Sequence, residues 1–204
     1  NEIWSRDLGH QKHTWGSGSS PLIYGNLCIL YHGPGENGHL IGLDKRTGET
    51  VWSVRDLPIV TEGRTDGFRG KEPGITGSFS TPILVEAGDR TELVMSFPGE
   101  LVAFDPATGN RLWWADGLNP LVYTSPLTDG ETIVAMGGYY GNSMAVTPGG
   151  EGNVTDSHRV WHKVRSKSDI GSGVIKDGHI FLQYGAGIAI CMDLKTGDTI
   201  WEER

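Results

Sequence analysis

Leu43–Trp52 reads LDKRTGETVW, and the same phrase returns as FDPATGNRLW at Phe104–Trp113 and as MDLKTGDTIW at Met192–Trp201. In each copy the Asp precedes the Gly by four residues and the Gly precedes the Trp by four: Asp44, Gly48, Trp52; Asp105, Gly109, Trp113; Asp193, Gly197, Trp201. A repeat of this kind sets the architecture before any single residue is interpreted. A second phrase precedes each copy: SSPLIYGN from Ser19, STPILVEAGD from Ser80, TSPLTDGE from Thr124 and GSGVIKDG from Gly171. From Ser20, Thr81 and Ser172 to the closing Trp the spacing is 32, 32 and 29 residues; from Ser125 to Trp161 it is 36. The unit ending at Trp161 has lost the Asp-x-x-Thr-Gly turn and carries TPGGEGNVTDSHRVW, a degenerate copy with a longer loop.

Each unit reads as four short strands, in the first roughly 20–24, 27–31, 39–44 and 50–55, with alternating apolar residues in the strands and Gly, Asn or Asp at the breaks. No segment shows a helical stripe. Gly, at 31 of 204 residues, is about twice its usual ~7 % share, without a collagen period; it signals many tight turns. In the Asp-x-x-Thr-Gly turn the Asp carboxylate can accept backbone N–H bonds and the Gly can take positive φ. One Trp per unit suits a flat side chain buried between neighbouring sheets. A four-stranded sheet cannot cover both its faces alone, so the repeated sheets stack, and the expected fold is an all-β propeller of four-stranded antiparallel blades.

The turn and its Trp closely resemble the pyrroloquinoline-quinone-type repeat and its tryptophan docking motif. The resemblance covers essentially the whole chain and is specific in three of four units. Family members include quinoprotein dehydrogenases, the BamB-type outer-membrane assembly lipoprotein and many secreted propeller proteins, the last being the group this chain looks most like. The family is commonly eight-bladed. Asn1–Leu8 resembles the closing strand of a blade, with Ile3-Trp4 where Val51-Trp52 stands. The expectation is therefore half of an eight-bladed ring, with a self-standing four-bladed ring as the alternative. Blades fall at about 5–55, 56–115, 116–163 and 164–204, with 1–8 the outer strand of a preceding blade. An open half-ring implies contact with remaining blades or self-association.

The formal charge is −8, with Lys and Arg scattered rather than in a basic stripe, which argues against a nucleic-acid surface. No run approaches the ~18–20 apolar residues that span a bilayer. Cys28 and Cys191 sit in apolar alternating runs as expected of buried free thiols, with no zinc-type spacing.

With strands ordered outward from the ring centre, the docking turns share one face and the longer connections share the other. That second face gathers side chains suited to ligand recognition, and the candidates for partner binding are Trp15, Arg64, Arg69, Lys71, Tyr123, Tyr139, Tyr140 and Tyr184, with His10, His13 and Phe68 beside them. The connection from Asp56 to Ser80 exceeds the usual ~12–15-residue limit for structureless loops, and Arg64, Arg69 and Lys71 in it could bind an anionic group or simply cover a blade edge. His10 and His13, three apart on a loop, lack a third metal ligand. The Gly33 run GPGENG lacks the Lys-Ser/Thr of a phosphate loop. Asn153 heads a formal glycosylation sequon. The repeated aspartates read as turn formers, and Trp161 as the docking Trp of the degenerate copy.

Two functions are weighed. The first is a non-catalytic binding scaffold with a protein, polysaccharide or small-molecule partner. The second, implied by the resemblance, is a dehydrogenase using pyrroloquinoline quinone with Ca²⁺; such relatives carry adjacent cysteines and Glu, Asn and Asp ligands, which this chain does not show. The resemblance also implies a bacterial periplasmic or cell-surface location.

Overall fold

The computed structural model describes residues 1–35, 37–55, 64–68, 76–185 and 187–204. The first sheet is an antiparallel meander of β1 (Leu22–Tyr24), β2 (Leu27–His32), β3 (His39–Asp44) and β4 (Thr50–Val54). After a two-residue strand β5 (Gly77–Ser78) comes a second meander, β6 (Ile83–Ala87), β7 (Arg90–Phe97), β8 (Glu100–Phe104) and β9 (Arg111–Asp116). Strand β10 (Leu121–Val122) pairs in parallel with β5. The third sheet is β11 (Leu127–Thr128), β12 (Ile133–Met136), β13 (Ser143–Val146) and, after the insertion described below, β15 (Arg159–Lys163). The insertion contains β14 (Gly152–Asn153) and a single helical turn, α1 (Thr155–His158). The fourth sheet is β16 (Val174–Lys176), β17 (His179–Tyr184), β18 (Ile188–Asp193) and β19 (Thr199–Glu203).

Burial reports the stacking order. In the second and third sheets the middle strands β8, β12 and β13 are buried at every position, as strands covered on both faces must be. In the first and fourth sheets β2 alternates buried and half-buried, and β17 shows buried residues at Ile180 and Leu182, so period-two patterning survives. Three apolar cores lie in the gaps. The one centred on Ile29, Leu40, Met95 and Phe104 joins sheets one and two. Val94, Leu101, Ile133 and Met144 belong to the next, and Val134, Met136, Ile180 and Ile190 to the third.

The repeated phrase makes the joints. In all three turns the Asp Oδ1 accepts backbone N–H bonds, from Arg46 and Thr47, from Ala107, and from Lys195 and Thr196. Gly48, Gly109 and Gly197 close the turns at φ of 73°, 75° and 69°. Their missing side chains admit a Trp from the preceding sheet: a Cβ on Gly109 would lie 2.6 Å from a Trp52 ring carbon, and one on Gly197 2.8 Å from the Trp161 ring. Each indole N–H then donates to the carbonyl one residue past the Asp, Trp52 to Pro106 at 3.2 Å and Trp161 to Leu194 at 2.9 Å. Trp4 does the same, against Gly48 and to the Lys45 carbonyl at 3.0 Å. A small residue faces each Trp across its own sheet, namely Gly42, Ala103, Ala145 and Cys191, with a bulge immediately after it.

The second phrase makes another joint, at the inner strands. The Ser20 N–H donates to Thr81 Oγ1 at 3.0 Å, the Thr81 N–H to Ser125 Oγ at 2.9 Å and the Ser125 N–H to Ser172 Oγ at 2.9 Å. A belt of hydroxyls thus links equivalent positions of all four sheets.

Three features depart from the sequence expectations. Residues 1–21 carry no strand, although Trp4 is seated like the other docking tryptophans; no described strand offers this segment a ladder. Trp113 does not dock on a turn, because the sheet after it has none. Its indole N–H instead donates to Glu92 at 2.8 Å, a carboxylate with no exposed surface that also pairs with Arg90 and accepts the Gly149 N–H from the degenerate loop. That loop also adds β14 in parallel to β9, a fifth strand on the second sheet. Cys28 and Cys191 are unpaired, and burial pushes the Cys28 thiol up.

Candidate functional site

The hydroxyl belt positions a cleft. Gly18, Phe79, Tyr123 and Ile170 each stand two residues before a belt residue, and all four line one open cavity of about 690 Å³ together with Trp15, Ser17, Phe68 and Tyr139. Equivalent points of four sheets therefore converge on it, which places the cleft where the inner strands meet.

Its walls are rings in contact. Phe79 and Tyr123 stack with an interplanar angle of 3° and centroids 5.7 Å apart, and Trp15 leans over both at 6.5 and 6.1 Å. Phe68 touches Trp15 at 5.8 Å and Tyr139 at 5.1 Å. Beyond the cleft the run continues from Tyr139 to Tyr140 and on to Tyr184, whose hydroxyl bonds to that of Tyr140 at 3.2 Å. Offset and edge-on pairs of this kind stabilise by about 0.5–1.5 kcal/mol beyond their burial.

The backbone under the rings is strained. Gly138, Tyr139 and Tyr140 take φ of 75°, 48° and 61° in succession, and the Gly141 N–H closes the turn on the Gly138 carbonyl at 2.9 Å. Left-handed backbone costs a bulky L-residue roughly 1–2 kcal/mol, and it persists only where the surroundings over-determine it. Here the Gly67 N–H bonds to the Tyr139 carbonyl, and the Tyr140 N–H bonds to the Ser168 carbonyl. A polar cluster next to it fastens the described part of the long loop: the Asn119 amide donates to Thr65 Oγ1, which donates to Asn142, and Arg165 reaches the Thr65 carbonyl.

Beside the cleft, Asp66 is buried and ion-paired with Arg64 at 3.0 Å. Asp66 also accepts the Phe68 N–H, and the Arg64 guanidinium lies 5.3 Å over the Phe68 ring. Burial, and then the neighbouring Asp66 carboxylate, push the Tyr123 phenol up to about 12. Tyr140 is raised by its bond to Tyr184.

Of the candidate face residues, Trp15, Tyr123, Tyr139, Tyr140 and Tyr184 thus form one continuous aromatic run, and Arg64 flanks it. Arg69 and Lys71 lie outside the described residues. Sequence reasoning missed Phe79 and Ile170, which registering each unit on its belt residue would have found. It also missed Asp66. His13 joins the run, 5.2 Å from Phe79 and 5.7 Å from Trp15. His10 is in none of its ring contacts. Among the described residues no group of three or more His, Cys, Asp or Glu side chains could hold a metal ion, and no helix is long and apolar enough to cross a membrane.

Stacked four-stranded sheets, locked by indole rings and opening a cleft at their inner edge, define a repeat β-propeller architecture. The chain belongs to the PQQ-type repeat family whose model is described as outer membrane protein assembly factor BamB, which matches residues 1–203. It is 28 % identical over 174 residues to the outer membrane protein assembly factor BamB of Nitrosomonas eutropha, covering 82 % of this chain and 35 % of that protein. The chain thus spans about a third of the length of this curated relative. Among solved structures it resembles BamB from Moraxella catarrhalis, with a TM-score of 0.63 and 15 % identity over 92 % of this chain and 48 % of that one. It also resembles quinohemoprotein alcohol dehydrogenase from Comamonas testosteroni, with a TM-score of 0.60 and 14 % identity over 93 % and 35 %. Likeness at such identity shows the fold.

Proposed function

We propose that this chain is the four-blade portion of a larger non-catalytic propeller that works in the bacterial periplasm or at the cell surface, presenting its aromatic loop face to a protein partner. The reading is supported above all by the convergence of side chains from at least five separate loops into one aromatic run over a strained, heavily bonded backbone. Rigid scaffolds that carry aromatic anchors on loops are suited to recognition. Membership in the assembly-factor family favours a protein over a polysaccharide partner. In this reading the blades run at about 5–55, 56–115, 116–163 and 164–204, each holding one of the four sheets. The indole of Trp201, 42 % exposed where Trp52 is 8 % exposed, is free to receive a further blade.

The quinone reading finds no support among the described residues. Cys28 and Cys191 stand on β2 and β18 of different sheets. The side-chain amides of Asn119 and Asn142 bond to Thr65 and to the Gly117 carbonyl. The described residues therefore do not fit that cofactor.

Co-purification from the native host tests the proposal, with full-length protein carrying Trp15→Ala and Tyr140→Ala against Arg46→Ala and Lys195→Ala on the turn face. Loss of a partner with the first pair alone is expected. A partner retained by both, or lost equally from both, contradicts it.

A further inference from the structure

The cleft has a chemistry narrower than that of a general docking face. Five of its eight described lining residues are aromatic, and rings that surround a site offer their negative faces to a cation. The neighbouring Asn119 and Asn142 amides bond to Thr65 and Gly117, and Asp66 is held by Arg64 and the Phe68 N–H, so these groups are engaged within the protein. Among the described lining residues, the polar side chains facing a ligand are the hydroxyls of Ser17, Tyr123 and Tyr139.

Burial, and then the Asp66 carboxylate, raise the Tyr123 phenol at the cleft wall. The whole chain carries a formal charge of −8, which favours the approach of cations. The cleft, at about 690 Å³, is open and roomy enough to admit a methylated ammonium with its substituent still attached.

We propose that the axial cleft is an aromatic cage for an organic cation of the trimethylammonium type, held against Trp15, Phe79, Tyr123 and Tyr139. This rests on the proposed function only in taking the aromatic face as the binding face. The cation can reach the cage as a free solute or as the headgroup of a choline lipid.

The test is calorimetric titration of the full-length protein with choline and with its neutral carbon isostere, dimethylbutanol. Co-sedimentation with phosphatidylcholine and phosphatidylglycerol vesicles runs beside it. The cage predicts saturable choline binding about tenfold or more tighter than the isostere. Trp15→Ala should abolish the preference and Trp15→Phe keep most of it, each checked for an unchanged far-ultraviolet circular dichroism spectrum. Retention on phosphatidylcholine vesicles alone, together with choline binding, identifies the headgroup as the source; choline binding without retention identifies the free solute. Choline no tighter than the isostere overturns the cage, as does vesicle retention without choline saturation. A protein that loses its partner on exchange of Trp15 and Tyr140, yet ignores choline, keeps the scaffold function and loses only the cage.

Discussion

Replacing Gly109 by Ala tests the joint between the first two sheets. The new Cβ would lie 2.6, 2.9 and 3.2 Å from three carbons of the Trp52 ring. The ring has nowhere to go, because its other side lies against Gly42, where an added Cβ would come within 3.0 Å of three indole atoms. Three costs combine: roughly 1–2 kcal/mol for an L-residue at φ 75°, about 1–3 kcal/mol for overpacking, and about 1 kcal/mol if the bond to the Pro106 carbonyl is lost. A total near 3–6 kcal/mol follows, offset by a few tenths to 1 kcal/mol from the stiffer unfolded chain. Gly88 is the matched control, since its φ is 66° and nothing lies within 4 Å of its Cβ direction. Gly88→Ala bears only the backbone terms, about 1 kcal/mol net. Urea unfolding of both variants, followed by Trp fluorescence, reads the difference at matched m-values. Two variants within about 0.5 kcal/mol of each other would refute the idea that ring contact, rather than turn conformation, requires this glycine.

Glu92→Ala should destabilise by about 3–5 kcal/mol, because it leaves the Trp113 N–H and Arg90 without their buried partner. Glu92→Gln, which can still accept from the indole, should cost clearly less in the same thermal melts. Ser125→Ala removes the acceptor of the Thr81 N–H and should cost about 1–2 kcal/mol. Hydrogen exchange should then quicken at the Thr81 amide while the Ser20 amide, bonded to Thr81 Oγ1, stays protected. Tyr31 and Tyr123 are both held up to about 12, by burial first. Their unfolded values lie near ~10. The fold therefore favours the neutral phenols, and the stability tied to them is present below ~10 and lost as pH climbs from there to about 12. Phenolate absorbance should show Tyr123→Phe removing one late-titrating group.

Much of this architecture is legible locally. Asp44, Thr47 and Gly48 build their turn from bonds spanning five residues or fewer, so the phrase shows it directly. The small residue opposite each Trp, Gly42 or Ala103, sits two places before the Asp and is equally readable. What escaped was long-range. Glu92 looks like an ordinary strand residue, and nothing near it says that Trp113 will turn to it once the next sheet lacks a turn. β14 exists only because β9 offers it an edge. The aromatic residues were readable as a set because loop order assigns them to one face. Phe79 and Ile170 were lost through reading that face by residue type rather than by repeat register, and the left-handed backbone at Tyr139 and Tyr140 has no marker except the preceding Gly138.

The most direct test of the binding face is photo-cross-linking from full-length protein in its native host. A benzoylphenylalanine replaces Tyr140 or Tyr184 in one pair of variants, and Arg46 or Lys195 on the turn face in another. The account predicts a discrete adduct of one molecular mass from the first pair and none from the second. Adducts from the turn face alone, or the same adducts from both faces, would contradict it.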